Sequence, residues 1–284
     1  MTEHGNMHGM GTGPGFGFWL LTMLIIAGAC YCLGVQRLRI RGDRWPRHRS
    51  IAAAGGLLCL AVAVLPAPGS AASFPAHVVQ HLLMAMLGPL LLALSAPITL
   101  GLRTLPIIGR RKVLSTLRNP AVRVLTLAPV VLLLEVGGLY AYYLTPLYDI
   151  AHHQPWLQGF MHLHMFLAGC LFSWYLIGPD PMTHRPSTRT ALVVLLIAAA
   201  GHDIAAKLLF AHLRPASAGT PEQIQLGAQI MYYGGTLVEL ILAVTVMATW
   251  YTRSGRALKR EQRRTRAGFN NIAVPPFNAA SGGT

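Results

Sequence analysis

Charged residues are scarce in this sequence, and acidic residues are scarcer still. Only 11% of the 284 residues are charged, with 9 Asp and Glu against 23 Lys and Arg, while 53% are hydrophobic. A soluble domain normally carries about a quarter charged residues, so the composition indicates a membrane protein. The formal net charge of +14 does not indicate nucleic-acid binding, because the basic residues are confined to short stretches between apolar runs, as membrane topology requires.

Cysteine is also rare, and the few that occur do not form a disulfide framework. The four cysteines are Cys30, Cys32, Cys59 and Cys170. Residues two apart on a helix point about 200° from each other, so Cys30 and Cys32 are not expected to hold one metal ion together. All four are expected to pack as small apolar residues.

Apolar runs of the roughly 20 residues needed to cross a bilayer recur along the chain. They predict an all-α integral membrane protein, a seven-transmembrane-helix bundle within residues 16–252. The Gly, polar and charged content predicts a flexible His/Met-containing N-terminus (1–15) and a disordered basic tail (253–284). The predicted spans are about 16–35, 51–68, 76–100, 122–144, 157–178, 190–212 and 225–250.

Lys and Arg are absent or nearly absent from alternate connections between these spans. The N-terminus and the second and fourth connections contain none, and the sixth contains only Arg214, whereas the first, third and fifth connections and the tail are basic. Basic connections remain in the cytoplasm. The N-terminus is therefore predicted to lie outside and the C-terminus in the cytoplasm.

Two histidines open the third predicted span, which begins FPAHVVQHLLMAMLGPL at Phe74. Helical positions i, i+4 and i+7 share a face, so His77, His81 and Met84 are predicted to form one stripe at the extracytoplasmic end. Imidazole and thioether ligands suit copper, especially Cu(I), better than magnesium or calcium. The stripe is predicted to supply half of a copper site.

The fifth predicted span carries two further histidines in QGFMHLHMFLAGCLFSW. His162 shares a helical face with Met165, whereas His164 shares one with Met161. One helix therefore cannot direct both histidines at the same ion. We favour His162 as the inward ligand, with His164 supporting a ligand or facing another helix.

Ionisable residues also occur inside the hydrocarbon region, where each costs roughly 2.5–3.5 kcal/mol and normally points into the bundle. The sixth span contains His202, Asp203 and Lys207, and the fourth contains Glu135. At about 1.5 Å per residue, Glu135 and His202 are expected roughly 13–15 Å below the outer ends of their spans. The histidines of the third and fifth spans are expected at about 9 Å by the same count, near enough for the two layers to be coupled.

The acidic residues of this region have two interpretations. Asp203 and Lys207 are four apart and would neutralise one another on one helix face. Alternatively, Asp203 or Glu135 orients a ligand histidine or balances the charge of a bound ion. Glu239, in the seventh span, receives no role beyond pairing with a polar neighbour.

Histidines are concentrated on the predicted outer side. The N-terminal segment adds His4, Met7, His8 and Met10 there, either as a flexible tract that captures copper or as a simple leader. The seven histidines predicted in the outer layer of the membrane domain are His77, His81, His152, His153, His162, His164 and His212.

Three blocks of sequence resemble the multi-span CtaG family of cytochrome c oxidase assembly factors. They are AHVVQHLLMAMLGPLLLALSAPITLGLR from Ala76, the Asn119-Pro120 pair, and MHLHMFLAGCLFSWYLIGPDP from Met161. The resemblance extends over about residues 75–250. By position, the motif histidines are His77, His81, His162 and His164, with His202 matching a histidine of the sixth span.

This resemblance implies a non-enzymatic protein of the bacterial plasma (inner) membrane that matures a haem-copper oxidase, with copper as the cargo. The implied partners are a haem-copper oxidase subunit and a periplasmic copper donor, within the lipid bilayer. The last span begins EQIQLGAQIMYYGG, which departs from the family pattern, so no role is assigned to Gln223 or Gln225.

Two other classes of function also use clustered histidines. Membrane di-iron oxygenases or desaturases carry HxxxH boxes, but these normally face the cytoplasm, and no HxxHH box is present. A membrane transporter or a bis-histidine haem protein would use Glu135, His202 and Asp203 for proton relay or pairs of facing histidines for haem. Iron analysis and a Soret band distinguish these alternatives.

Overall fold

The computed structural model describes residues 16–64, 73–182 and 185–272, and every regular element within these ranges is helical. Two π-helical turns interrupt the α-helices, at Leu82–Leu87 between α3 and α4 and at Leu133–Gly137 between α8 and α9. The α-helices are α1 (Phe16–Ile40), α2 (Arg47–Val64), α3 (Phe74–His81), α4 (Gly88–Ser95), α5 (Pro97–Thr104), α6 (Ile107–Leu117), α7 (Pro120–Leu125), α8 (Ala128–Leu132), α9 (Gly138–Leu144), α10 (Leu147–His153), α11 (Pro155–Ile177), α12 (Thr188–His212) and α13 (Pro221–Ile272).

Six stretches of the described chain are long and apolar enough to cross a membrane. A seventh span results if Ala128–Leu144 and Leu147–His153, which meet at a bend of 75°, are counted together. The prediction of a multi-pass all-helical membrane protein is confirmed. The six continuous stretches are Trp19–Ile40, Arg47–Val64, Phe74–Thr104, Pro155–Ile177, Thr188–His212 and Pro221–Arg263.

The bundle exposes apolar side chains outward, as a lipid-facing surface requires. Ile25 is 72% exposed and Leu196 is 70% exposed. The main core lies between the third and last spans, where Phe74, Tyr143 and Met231 are fully buried. The first two helices have separate, smaller apolar clusters.

The first π-helical turn follows from the proline that comes after it. Pro89 has no N–H group, and its ring excludes the Ala85 carbonyl from the usual position of a helical acceptor. The N–H of Gly88 donates to Leu83, five residues earlier, which is the π-helical pattern. The Ala85 carbonyl instead approaches Gly169 of α11 so closely that any Cβ at Gly169 would collide with it.

Asp180 connects the opposite end of the third span to the segment between α11 and α12. Its carboxylate accepts hydrogen bonds from the backbone N–H groups of Ile98, at 3.1 Å, and Thr99, at 2.7 Å, in the first turn of α5. Arg185 donates a hydrogen bond to the Asp180 carbonyl. A carboxylate is favourable at a helix N-terminus, so Asp180 fixes the break after Ala96, whose φ is 54°.

The last helix is longer than the sequence suggested. It continues to Ile272, so residues 253–272 are helical, although we expected no regular structure there. Arg, Ala, Leu, Lys, Glu and Gln dominate this stretch and are strong helix formers, and they extend a helix that is already nucleated. The predictions for residues 1–15, including His4, Met7, His8 and Met10, and for 273–284 fall outside the described residues.

Candidate metal centre

Three histidines from three helices meet at one end of the bundle. The ring centroid of His77, in the first turn of α3, lies 6.1 Å from that of His162 in α11. It lies 5.9 Å from that of His152, in the last turn of α10. His77 is buried, His162 is half-buried and His152 is exposed. We call these three residues the shallow group, because they connect the surface of the bundle to its interior.

Tyrosines of α9 and α10 surround His77. The Tyr143 hydroxyl and His77 Nε2 form a hydrogen bond of 3.1 Å, and the Tyr142 ring stacks near the imidazole with a centroid distance of 5.9 Å. Tyr148 packs edge-on at 5.4 Å. Because Tyr143 occupies Nε2, a metal ion would bind His77 through Nδ1 or would have to displace the tyrosine.

One helical turn further into the bundle, His81 faces His202 of α12. The two rings lie 6.3 Å apart and nearly parallel, at 9°. Nδ1 of His202 lies 3.7 Å from Oε1 of Glu239 in α13, and all three side chains are buried. We call His81, His202 and Glu239 the deep group.

A small cavity of about 40 Å³ lies at the deep group. Glu135 and His164 contribute to its wall together with all three deep-group residues. This volume holds an ion or a few water molecules. It is far below the roughly 300–1,000 Å³ of ordinary small-molecule sites.

The two π-helical turns shape this cavity. The first turn directs Met86 into the wall, and the second directs Glu135. Short π-helical insertions are frequent at functional sites. The prediction that Glu135 points into the bundle agrees with this placement.

The predicted stripe of His77, His81 and Met84 is not continuous in the structure. The π-helical turn begins directly after His81 and changes the register, so Met84 packs against Leu60 and Ala63 of α2. There Met84 and His162 both line an apolar cavity of about 440 Å³ between α1, α2 and α11. The Met84 thioether therefore lies in the same cavity wall as His162 and not beside His81.

The structure separates His162 from His164, as the helical periodicity predicted. His162 belongs to the shallow group, whereas His164 lines the deep cavity and packs against Gly138 of α9. The two histidines of α11 thus serve different layers of the bundle.

Asp203 and Lys207 have different neighbours in the structure. The Thr236 hydroxyl donates to Oδ1 of Asp203 at 3.4 Å, and Nζ of Lys207 lies 5.1 Å from the centroid of the Tyr232 ring. Lys207 is exposed. Both residues lie where α12 packs against α13. Asp203 directly follows His202 in the chain and therefore adjoins the deep group.

Sequence reasoning left several residues of the two groups without a role. Glu239 received none beyond pairing with a polar neighbour, although its carboxylate, that of Asp203 and a ring nitrogen of His202 all lie within 4.8 Å of one another. His152 was placed in the outer layer but not among the ligands, because the 75° bend before α10 has no clear signature beyond Pro146. Met86, which lines the deep cavity, was hidden by the change of register before Pro89. Met165 lines the same cavity, although the helical periodicity placed it on the face of His162.

The comparisons with known proteins agree with the resemblance described above. Uncharacterized proteins of Mycobacterium leprae (strain TN), at 28% identity, and of Mycobacterium bovis, at 27% identity, align with 278 residues. Each alignment covers 90% of this chain and 42% of the relative, so the chain spans about two fifths of the length of these curated relatives. No solved structure matches the chain.

The family model of the cytochrome c oxidase caa3 assembly factors matches residues 29–253. This range includes α2 to α12 and all residues of the shallow and deep groups. The chain therefore belongs to the cytochrome c oxidase caa3 assembly factor family.

Proposed function

We propose that the protein acts in oxidase assembly by binding copper at the shallow group and supplying it to a haem-copper oxidase subunit. The observation that carries this proposal is the convergence of His77, His152 and His162 from three separate helices. Histidine is the commonest metal ligand in proteins, and its imidazole suits copper. The exposed ring of His152 provides an entry and exit route, which a carrier needs and a permanent site does not.

The surroundings favour Cu(I). Met84 and His162 line the same apolar cavity, and a thioether beside imidazole is a soft ligand set. The carboxylates of Glu135 and Glu239 lie at the deep group instead. A monovalent ion needs less charge compensation than a divalent ion in an apolar environment, so the shallow group suits Cu(I) better than a divalent ion.

The distribution of basic residues supports an extracytoplasmic position for this group. Among the described residues of the connections at the histidine-bearing end, Arg214 is the only Lys or Arg, whereas Arg41, Arg44 and Arg103 lie together at the other end. The positive-inside rule then directs the histidines to the outer face of a bacterial inner membrane. A periplasmic donor would deliver copper to that face, and the oxidase subunit would receive it within the bilayer.

The deep cavity argues against the haem alternative. His81 and His202 face one another, but a space of about 40 Å³ does not admit a macrocycle. Glu135 and Glu239 beside three histidines are the one feature that favours a di-iron enzyme, and iron analysis of the purified protein tests it. Detection of two irons per chain would refute the copper proposal and favour the di-iron enzyme.

Replacing His77 and His162 together by alanine in the native host tests the proposal. We expect loss of cytochrome c oxidase activity, with partial recovery when copper is added to the medium. His153→Ala is the matched control, because His153 is an exposed histidine in the same short helix as His152. Wild-type oxidase activity in the double variant, at an equal level of protein, would refute copper binding at this group.

A further inference from the structure

The deep group contains buried nitrogen atoms that lack hydrogen-bond partners. Both ring nitrogens of His202 and Nδ1 of His81 are buried and have none within the described part of the chain. Each of these two histidines is only 6% exposed. Buried polar groups are normally satisfied, so two adjacent unsatisfied imidazoles point to an occupant of the cavity between them.

The spacing of the acidic neighbours fits an ion better than a direct contact. Nδ1 of His202 and Oε1 of Glu239 are 3.7 Å apart, beyond the roughly 2.7–2.9 Å of a charge-assisted hydrogen bond. Two ligands about 2.0–2.1 Å from one tetrahedral ion lie roughly 3.3–3.4 Å apart. Asp203 contributes a third atom, since one ligand atom from each of His202, Asp203 and Glu239 lies within 4.8 Å of the other two.

The backbone leaves room for this arrangement. Gly235 of α13 lies against the His202 ring so closely that any Cβ would overlap it. Gly235 lies one helical turn before Glu239 in α13, so this contact places the His202 ring near Glu239. Because Gly235 has no side chain, it leaves both ring nitrogens of His202 free to bind an ion.

The ligand types identify the class of ion. Imidazole together with carboxylate suits Zn²⁺ and Cu²⁺, whereas Mg²⁺ and Ca²⁺ prefer oxygen ligands throughout. Met86 and Met165 also line the cavity, but two ionised carboxylate ligands balance the charge of a divalent ion and not that of Cu(I). We infer that His202, Glu239 and Asp203, with His81 facing them, form a second metal site that binds a divalent transition ion.

This site is separate from the shallow group in depth and in chemistry. It stands whether or not the shallow group binds copper, and the test therefore treats the two groups independently.

The full-length protein carries a tag without histidine, is purified in lipid nanodiscs, stripped with chelator and loaded with Zn²⁺. Bound zinc is measured by mass spectrometry, and its ligands by X-ray absorption.

We expect one tightly bound Zn²⁺ per chain, with two imidazoles and oxygen ligands at about 2.0–2.2 Å. Glu239→Gln should weaken binding by more than about tenfold, and Gly235→Ala should do the same while leaving every ligand in the sequence. The control Glu222→Gln changes an exposed glutamate at the start of the same helix and should bind as the wild type. The His77→Ala/His162→Ala protein should retain its zinc.

Four results would overturn the site. The first three are no zinc in the wild type, unchanged affinity in both deep-group variants, and loss of the ion only in the shallow-group variant. The fourth is a Glu239→Gln protein that binds zinc as the wild type does but melts at a lower temperature without metal, because the His202 and Glu239 contact would then be an ordinary buried pair.

Discussion

His81 and His202 face one another across the bundle with their rings nearly parallel and 6.3 Å apart. This contact joins the third and sixth spans at the depth where Glu239 enters from the last. Tyr143 links this layer to the shallow group, because its ring lies 5.8 Å from His77 and 5.8 Å from His81. The two histidine layers are therefore adjacent and share one aromatic neighbour.

Removing the hydroxyl of Tyr143 should weaken copper binding at the shallow group. In Tyr143→Phe, His77 loses the hydrogen bond to Nε2 that fixes its ring, and loss of such an orienting partner costs about 10–100-fold in metal affinity. Competition with a Cu(I) chelator measures this. Tyr140→Phe is the control, since Tyr140 donates to the Gly201 carbonyl and not to a histidine. Equal affinities in the two variants would show that Tyr143 does not orient the ligand.

A methyl group at Gly169 should separate α11 from the first π-helical turn. The Ala85 carbonyl leaves no space for it, and overpacking of this kind costs about 1–3 kcal/mol. Gly169→Ala should lower the melting temperature in detergent, whereas Gly255→Ala, with no atom within 4 Å of its added Cβ, should not. If both variants melt as the wild type does, the close helix contact is absent in solution.

Neutralising Asp180 should destabilise the protein more than neutralising Asp43. Asp180 is buried and accepts hydrogen bonds from two backbone N–H groups, so Asp180→Asn is expected to cost about 1–3 kcal/mol. Asp43 forms an exposed ion pair with Arg103 at 3.3 Å, and Asp43→Asn should cost less than about 1 kcal/mol. Thermal unfolding of the two variants compares them, and the reverse order would contradict the capping role of Asp180.

The orientation of the bundle is tested by cysteine labelling. In a background without the four native cysteines, Ala216→Cys lies in the exposed connection between α12 and α13, and Ser115→Cys lies on the exposed surface of α6. Membrane-impermeant maleimide applied to whole cells should label position 216 and leave position 115 unlabelled. The opposite pattern would place the histidines on the cytoplasmic side.

Hydropathy and helical periodicity predicted the spans and the inward direction of His77 and His162, because both depend only on local spacing. The change of register at Leu82–Leu87 was not predictable in this way, and it moved Met84 away from His81. The partner of Glu239 was not predictable for a different reason. The depth of Glu239 in the membrane follows from its position in the span, but its partner is set by the packing of α13 on α12.

The central claim is that copper is bound by imidazoles of the shallow group. The most direct measurement is the Cu(I) content of the purified full-length protein after equilibration with a competing chelator, for the wild type and for His77→Ala/His162→Ala. We predict one Cu(I) held by the wild type and none by the double variant, with His153→Ala unchanged. The same Cu(I) content in the double variant and the wild type would contradict the account.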